Sequence, residues 1–272
     1  MPARLTVVGS INLDFVAKAE RLPRPGETVT GATFARVPGG KGANQAAAAA
    51  RLGAEVTMIA STGNDDFRAD AVVELTRAGV DLTRVKVADA ATGVALVIVD
   101  AAGENEIAVA PGANAELRPE DVEVPDCDGV LCQLEIPLET VEHVALTAPA
   151  YFFLNAAPAV GPVPAADLTI VNRYELEALT HRDGLIAVTL GAEGAILLEG
   201  GEEVARAAPP KVEAVDGTGA GDAFTACLVV SLLDGLSRED ALHRACAAGA
   251  LAASRFGAQT SLPTAEEVDA LL

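Results

Sequence analysis

The sequence contains no tryptophan, and aromatic residues of all kinds make up only 3% of its 272 positions. Half of the residues are nevertheless apolar, so a core has to be built mainly from Ala, Val, Leu and Ile. Burial of that much apolar surface can offset the entropy lost on ordering the chain, which excludes an intrinsically disordered protein. A chain of this length fills one large α/β core or two ordinary domains.

Cysteines are few, and no two of them form a C-x-x-C pair. We therefore expect small buried thiols in a reducing compartment. The apolar run near the N-terminus is too short for a membrane span, is interrupted by Asn12 and Asp14, and is followed by no small-residue cleavage site. These features predict a cytoplasmic protein. The cysteines are Cys127, Cys132, Cys227 and Cys246.

Basic residues are scarce as well, since 19 Lys and Arg face 39 Asp and Glu for a net charge of −20. A surface this acidic repels phosphate backbones and anionic lipid, so we expect neither a nucleic acid nor a membrane as partner. A small anionic ligand is still compatible with this charge. It would need a local site of backbone N–H groups or a few placed cations.

Short β-rich runs alternate with alanine-rich stretches along most of the chain, which is typical of βα units around a parallel sheet. Continuous apolar runs predict strands that are covered on both faces. The predicted helices at residues 42–53 and 67–79 both end in glycine, a common residue at helix C-termini. The predicted strands are residues 5–10, 56–62, 129–134, 151–155, 168–172 and 185–191.

Two segments depart from this pattern because apolar and polar residues alternate in them with a period of two. They are residues 28–37 and residues 93–110, and the second is typical of a hairpin with its turn at residues 101–104. We expect them to form a small sheet, the lid, beside the main domain.

A glycine-rich turn, DGTGAGD at residues 216–222, precedes an apolar helical stretch. Its glycines let a ligand approach the backbone and expose successive N–H groups at the positive end of a helix. One interpretation is a phosphoryl-transfer site, in which these groups hold developing charge and Asp222 takes the proton of an attacking hydroxyl. The other is that Asp222 only favours the helix dipole. The spacing matches neither the Rossmann fingerprint nor a Walker A loop.

Two further segments carry candidate ligand contacts. Gly39, Gly40 and Gly42 surround Lys41 where a helix is predicted to start, although this segment by itself favours a plain loop-to-helix transition with a solvated lysine. Asn12 and Asp14 follow the first predicted strand, at the sheet edge where ligands of α/β proteins collect. In an extended segment they would point the same way and could bind adjacent hydroxyls, but an Asx turn is the alternative.

Together these segments resemble a known family. GSINLD, PGETVTG, GGKGANQA, TGVALV, QLE, N-x-x-E, TLGAEG and DGTGAGDAF occur in the order and approximate spacing of the ribokinase-like (PfkB) carbohydrate kinases. The resemblance runs over nearly the whole chain, and GGKGANQA combined with a later GAGD is highly specific. It implies a three-layer α/β/α fold with a mainly parallel central sheet and a small β-sheet lid. The whole of residues 1–272 would form a single domain, with lid segments at approximately 12–37 and 91–110.

The resemblance also implies the activity, namely ATP-dependent phosphorylation of the 5-hydroxyl of D-ribose. Asp222 matches the family's catalytic base, and Gly219, Ala220 and Gly221 match its anion hole. The lid would close over the sugar and is usually also the homodimer interface. The positions matching sugar contacts hold the residue types expected for ribose and are Asn12, Asp14, Gly40, Lys41, Asn44 and Glu135; those matching the lid contacts are Ala95, Val97 and Ile107.

Nucleotide and ion positions are implied in the same way. Asn172 and Glu175 match the motif that organises Mg²⁺ and the phosphates, largely through water. Asn172 and Gly221 would also contact ATP, together with the turn Thr189, Leu190, Gly191, Ala192, Glu193 and Gly194. The positions around a monovalent-cation site, expected to hold K⁺, are Asp216, Thr218, Ala252, Arg255, Gly257 and Ser261.

Several alternatives stay open at this stage. The segment between Glu175 and Leu185 is shorter than is usual in the family, which removes much of one peripheral helix near the nucleotide edge. The chain could be a kinase for another sugar, a sugar acid or a nucleoside, or a non-catalytic sugar-binding protein. Glu135 could instead cap the helix that Pro137 starts. A nicotinamide-dependent dehydrogenase is disfavoured because no G-x-G-x-x-G follows the first strand.

Overall fold

The computed structural model describes residues 1–158, 161–180 and 184–272. Within these residues the chain forms a nine-stranded sheet and a separate four-stranded sheet. The strands are β1 Arg4–Val8, β2 Asn12–Lys18, β3 Thr33–Gly39, β4 Glu55–Gly63, β5 Val85–Ala88, β6 Gly93–Val99, β7 Asn105–Ala110, β8 Gly129–Gln133, β9 Tyr151–Asn155, β10 Leu168–Asn172, β11 Leu185–Thr189, β12 Ala195–Glu199 and β13 Glu202–Ala207. The α-helices are α1 Lys41–Arg51, α2 Phe67–Ala71, α3 Val73–Ala78, α4 Leu138–Thr147, α5 Arg173–Ala178, α6 Ala220–Leu233, α7 Arg238–Ala253 and α8 Ala265–Asp269.

The large sheet is mainly parallel, as predicted. Its order is β13-β12-β11-β10-β9-β8-β1-β4-β5, and its antiparallel pairs are β11–β12 and β12–β13. From β1 the chain first builds outward through β4 and β5, and later builds in the opposite direction from β8 to β11. The order therefore reverses between β1 and β8, and in open α/β sheets such a reversal opens a crevice at the carboxyl ends of the strands.

Alternate residues of the central strands enter two different cores, which is what the continuous apolar runs require. Leu131 of β8 packs with α1, α6 and α7 on one face of the sheet. Its neighbours Val130 and Cys132 pack with Val141 and Val144 of α4 on the other face. The three-layer arrangement is thus confirmed, and the thiol of Cys132 is one of the small buried hydrophobes expected from the sequence.

The small sheet, with order β3-β2-β6-β7, is the lid. It contains the predicted hairpin, since β6 and β7 pair antiparallel on either side of residues 100–104. The alternating segment at 28–37 is a strand only from Thr33 onward, because Gly31 adopts a φ of 86° that interrupts extended backbone. Asn12 and Asp14 follow the end of β1, as predicted, and lie in extended backbone at the start of β2.

Two other features differ from the prediction or add to it. The helix expected at residues 67–79 is two short helices, α2 and α3, because Val72 leaves the helical region with φ −101° and ψ 1°. Gly79 ends α3 in the left-handed conformation, as its position predicts. None of the helices in the described part of the chain is long and apolar enough to cross a bilayer.

Candidate active site

The N-terminus of α1 lies against the carboxyl ends of β1 and β8, where side chains from both strand ends satisfy its first N–H groups. Glu135 Oε2 accepts hydrogen bonds from the Lys41 backbone N–H (2.9 Å) and the Ser10 hydroxyl (2.5 Å). Ser10 Oγ in turn accepts from the Gly42 N–H (3.2 Å). Glu135 therefore caps α1 and favours its dipole. The alternative that it caps the following helix is wrong, because α4 has no side-chain cap.

Gly42 allows α1 to approach β1 this closely. A Cβ on Gly42 would lie 2.5 Å from the backbone N of Ser10 and 2.8 Å from its backbone O. Backbone atoms cannot rotate away as a side chain can, so any larger residue must push the start of α1 outward.

We expect Gly42→Ala to lower the free energy of unfolding by about 1–3 kcal/mol, as overpacking of a tight contact does. The matched control is Gly221→Ala, because Gly221 is also a first-turn helical glycine but has nothing within 4 Å of its Cβ position. That substitution should leave stability unchanged or raise it by up to about 1 kcal/mol. Urea-unfolding midpoints measure both, and equal stability of the two variants would contradict the close-approach explanation.

Asp222 lies in the first turn of α6 and is 7% exposed. Both of its oxygens accept hydrogen bonds from amides of α1: Oδ2 from Asn44 Nδ2 and Oδ1 from Gln45 Nε2, each at 2.8 Å. Two distant motifs are therefore joined side chain to side chain, although they are separated by more than half of the chain. Sequence analysis placed Asp222 and Asn44 in one site but missed Gln45.

The turn before Asp222 leads into the N-terminus of α6, where backbone N–H groups lack an acceptor within the helix. Gly219 precedes α6 with a φ of 77°, a conformation that favours glycine. The Ala220 N–H donates to the Gly217 carbonyl at 3.2 Å. Gly221 and Asp222 therefore carry the next backbone donors of the first turn, which have no acceptor within the helix.

One lysine and four carboxylates share this region. Burial opposes the charge of Lys41, but the carboxylates of Asp222, Glu135 and Glu175 raise its pKa overall. Burial raises the pKa of Asp14 to about 7, and the negative charges of Glu135 and Asp222 add to that effect. Burial also raises the pKa of Asp222 and of Glu175. The excess of carboxylates favours a ligand that donates hydrogen bonds, as a sugar hydroxyl does.

The lid carries Asp14 on one of its two faces. In the strand register Asp14 lies beside Ala95, and Val97 lies beside Ile107, so these four residues share that face. Ala95 is buried, whereas Ile107 is 57% exposed. The predicted lid residues thus lie on the same face of the small sheet as Asp14, where Ala95 is buried beside Asp14 and Ile107 is exposed.

Asn12 is fixed by a residue that the sequence analysis did not single out. Buried Asn114 donates from Nδ2 to Asn12 Oδ1 at 2.7 Å and accepts from the Ile11 backbone N–H at 2.9 Å. A Cβ at Gly93 would overlap this amide pair. Because its oxygen is tied to Asn114, Asn12 has its NH₂ group left to offer a ligand.

Two adjoining cavities lie along the carboxyl ends of the strands. The smaller, about 200 Å³, is lined by Lys41, Asp222, Asn172 and Glu175 among others. The larger, about 710 Å³, extends from Gly221 along the outer part of the large sheet. Thr189, Gly217 and Gly221 line both. The predicted nucleotide residues that line the larger cavity are Thr189, Gly191, Ala192, Gly194 and Gly221.

Two predicted nucleotide residues do not line either cavity. The Leu190 side chain packs into the core on the α4 face of the sheet. The Glu193 carboxylate pairs with Arg173 at 2.5 Å, on the exposed surface. The sequence analysis in turn missed a large part of the lining, because nothing in those segments marks them as ligand contacts. The missed residues are Pro209, Pro210, Lys211, Val212, Ala214, Phe224, Cys246, Gly249, Ala250 and Ala253.

Asn172 and Glu175 face the smaller cavity from the start of α5. Each side chain satisfies the backbone N–H of the other, Asn172 Oδ1 at 2.9 Å and Glu175 Oε2 at 2.7 Å. Among the described residues no three His, Cys, Asp or Glu side chains are placed to hold a metal ion. Amide and carboxylate oxygens without a closed cage suit Mg²⁺, which keeps several waters and binds together with substrate phosphates.

The residues predicted for a monovalent cation lie in the loop before α6 and in the last turn of α7 with the loop after it, and the two loops meet at Asp216. Its Oδ1 accepts from the Thr218 N–H (2.9 Å) and hydroxyl (2.6 Å), and its Oδ2 accepts from the Gly257 N–H (2.9 Å). Burial opposes the charge of Asp216, but these hydrogen bonds lower its pKa overall. Ala252 lies at the end of α7 and Ser261 follows in the second loop, whereas the Arg255 side chain turns away to pair with Glu267.

Comparisons with known proteins place the chain among carbohydrate kinases. Residues 2–265 match the profile described as pfkB family carbohydrate kinase. A ribokinase of Bacillus subtilis is 37% identical over 291 residues, covering 98% of this chain and 99% of that protein. The ribokinase structure from Thermotoga maritima superposes with a TM-score of 0.90 at 32% identity and 99% coverage of both chains. The structure of Arabidopsis thaliana ribokinase complexed with ribose and ATP gives a TM-score of 0.86 at 32% identity, covering 100% of this chain and 99% of that one.

Proposed function

Because the chain belongs to the pfkB family of carbohydrate kinases, we propose that it transfers the γ-phosphoryl group of ATP to the 5-hydroxyl of D-ribose, with Asp222 as general base. The observation that carries the proposal is the position of Asp222. It is buried between the amides of α1 and lines the cavity that opens toward the larger one along the sheet edge. A hydroxyl and a nucleotide placed in the two cavities would therefore meet at this residue.

The proposed chemistry needs positioning and charge neutralisation more than covalent catalysis. Asp222 accepts the proton of the attacking hydroxyl. The N–H groups of Gly219, Ala220 and Gly221 form the proposed anion hole, in which Gly221 has a free helix-end donor and Ala220 would exchange its contact with Gly217 for the phosphate. Lys41 supplies a fixed positive charge beside them.

Ion binding is part of the same proposal. Asn172 and Glu175 would hold Mg²⁺ through water, and the ion would neutralise the phosphates during transfer. The loops around Asp216 would hold a monovalent cation, K⁺, mainly through backbone carbonyls. The ordered contacts of Asp216 with both loops support a structural cation site next to the first turn of α6.

Ribose as the substrate is supported by the polar groups that gather around Lys41 and Asp222, two of the residues that line the smaller cavity. Asn12, Asp14 and Asn44 offer amides and a carboxylate to sugar hydroxyls, and Gly40, Lys41 and Glu135 border the same space at the start of α1. Ala95, Val97 and Ile107 would cover the sugar when the lid closes and exclude water from the phosphoryl group.

We assign a homodimer contact to the lid as well. β7 is an edge strand, and its Ile107 and Val109 are 57% and 51% exposed on the face that also holds Val97. An unpaired apolar edge is a surface that a second copy can cover.

The experiment that tests the proposal is a panel of acceptors with MgATP, read as sugar-dependent ADP release in a coupled assay. We expect D-ribose to give the highest kcat/KM among ribose, 2-deoxyribose, fructose, 2-keto-3-deoxygluconate and adenosine. An enzyme sample without acceptor corrects for ATP hydrolysis. A higher kcat/KM for another acceptor would identify that compound as the substrate, and the chain would remain a kinase of the same family. Ribose binding without ADP release would favour a non-catalytic sugar-binding protein.

A further inference from the structure

Behind the Asp222 carboxylate lies a buried chain of three amides that the proposed mechanism does not use. Gln45 is fully buried, and its Nε2 donates both to Asp222 Oδ1 at 2.8 Å and to Asn155 Oδ1 at 2.9 Å. Its Oε1 accepts from Gln133 Nε2 at 2.6 Å, and Gln133 is also fully buried. Gln45 is thereby hydrogen-bonded on both sides of its amide.

The chemistry of the partners leaves only one orientation for the Gln45 amide. An ionised Asp222 can only accept hydrogen bonds. Asn155 uses its NH₂ group on the Ile170 carbonyl at 3.1 Å, so its oxygen also has to accept from Gln45. The NH₂ group of Gln45 must therefore face both of them, and its oxygen must face Gln133.

Gln133 is held in this position at a cost. Its Oε1 is buried without a hydrogen-bond partner among the described residues. A Cβ on Gly9 would overlap that oxygen, so the close approach requires glycine at that position. An unpaired buried amide oxygen is unfavourable, so stability alone does not explain Gln133 at this place.

We propose that Gln45, oriented by Gln133, is a positioning residue that holds the Asp222 carboxylate in the rotation in which it can accept the substrate proton. The inference rests on the proposed function, because it assigns a role toward that base. Asn44 holds the second oxygen in a parallel way and is itself oriented by Gln259, whose Nε2 donates to Asn44 Oδ1 at 3.1 Å. Each carboxylate oxygen is thus fixed by an amide that a buried glutamine orients.

The Gln45 hydrogen bond also bears on the charge of Asp222. Burial raises the pKa of this carboxyl, whereas Lys41 and the amides of Asn44 and Gln45 lower it and Glu135 raises it further. Glu175 of α5 and Asp14 of the lid also interact electrostatically with Asp222. Loss of the Gln45 donor removes one contribution that favours the ionised form, so the pKa of Asp222 should rise further.

The test is Gln45→Met, which keeps the volume and removes the donor. We expect kcat to fall about 10- to 100-fold, the size of a lost hydrogen bond to a charged group. The KM for ribose should change less than about threefold, because Gln45 is fully buried and exposes no surface to the sugar. The acidic limb of the kcat–pH profile should move to higher pH, because the Gln45 hydrogen bond lowers the pKa of Asp222. Circular dichroism and ribose binding by calorimetry verify that the variant is folded.

Gln133→Met provides a second variant that leaves Gln45 in place but removes the donor to its Oε1, so the amide is held on one side only. It should lose several-fold in kcat and shift the acidic limb in the same direction by less. The matched control is Thr6→Val in β1, which removes a buried hydroxyl that has no hydrogen-bond partner in the described chain and should leave all three quantities unchanged.

The outcomes separate this inference from the proposed function. Unchanged kcat and pH profile in Gln45→Met, together with an inactive Asp222→Asn, would overturn the positioning role alone. A loss confined to KM would overturn it as well, because a positioned base acts on turnover. Full activity of Asp222→Asn would instead overturn the proposed function, whatever Gln45→Met does.

Discussion

Asp222→Asn is expected to lower kcat for sugar phosphorylation by about 10²- to 10⁴-fold while sugar affinity changes only a few-fold. The loss is the contribution of a positioned general base. Asparagine keeps the size of the side chain but has no lone pair basic enough to take the proton of a hydroxyl. Binding is retained because the other polar groups that border the cavity keep their places.

The measurement combines a coupled ADP-release assay with calorimetric titration of ribose. The control is Asp240→Asn, because Asp240 is also a first-turn helix acid, in α7, but is exposed, and its hydrogen bonds within the described residues are local ones to Ser237. That variant should keep full activity and lose at most about 1 kcal/mol of stability from the helix dipole and cap. If Asp222→Asn behaved in the same way, the helix-dipole interpretation of Asp222 would be the correct one.

The fold could be predicted from the sequence to the extent that it depends on local patterns. Apolar runs covered on both faces produce the parallel sheet, and alternation from residue 93 onward produces the hairpin of the lid. The prediction of one helix at 67–79 was wrong at Val72, where α2 ends and α3 begins. No glycine or proline marks this break, because it depends on how the two helices pack. The pairing of β2 with β6 could not be predicted from local patterns either, because it joins segments far apart in the chain.

The candidate site was predictable where a motif brings chemistry with it and not where partners come from elsewhere. Asp222, Lys41 and Asn44 were found because their glycine-rich surroundings mark them. Gln45 stands in one of the same motifs, but its role depends on Gln133 and Asn155, which only the folded chain brings to it. Apolar and small residues of the larger cavity, such as Pro209 and Ala250, carry no chemical signature at all.

Sugar affinity is expected to depend on pH through Asp14. Burial, with Glu135 and Asp222 nearby, raises the pKa of Asp14 to about 7. Its Oδ1 is buried and accepts no hydrogen bond within the described part of the chain, so a sugar hydroxyl would be its natural donor. Hydrogen bonds from hydroxyls favour the ionised carboxylate and lower its pKa in the complex. Sugar binding should therefore release a proton wherever free Asp14 is protonated.

The direction of the pH dependence of sugar affinity follows from this difference between the pKa of free and sugar-bound Asp14. Above about pH 7 free Asp14 is already ionised, and affinity should be constant. Below that value affinity should fall by up to about tenfold per pH unit, because each binding event must first remove a proton. Calorimetry at pH 7 in two buffers of different ionisation enthalpy should report about half a proton released per sugar bound.

Asp14→Asn separates this group from the other carboxylates of the site. The variant should bind ribose about 10- to 100-fold more weakly at pH 8, since it loses a hydrogen bond to a charged acceptor. Its affinity should be nearly flat between pH 6 and 8, and proton release should disappear. Persistence of the pH dependence in Asp14→Asn would assign the titration to Glu135 or Asp222. A flat profile in the unmodified enzyme would show that Asp14 keeps the same protonation state with and without sugar, which excludes it as the group that ionises on binding.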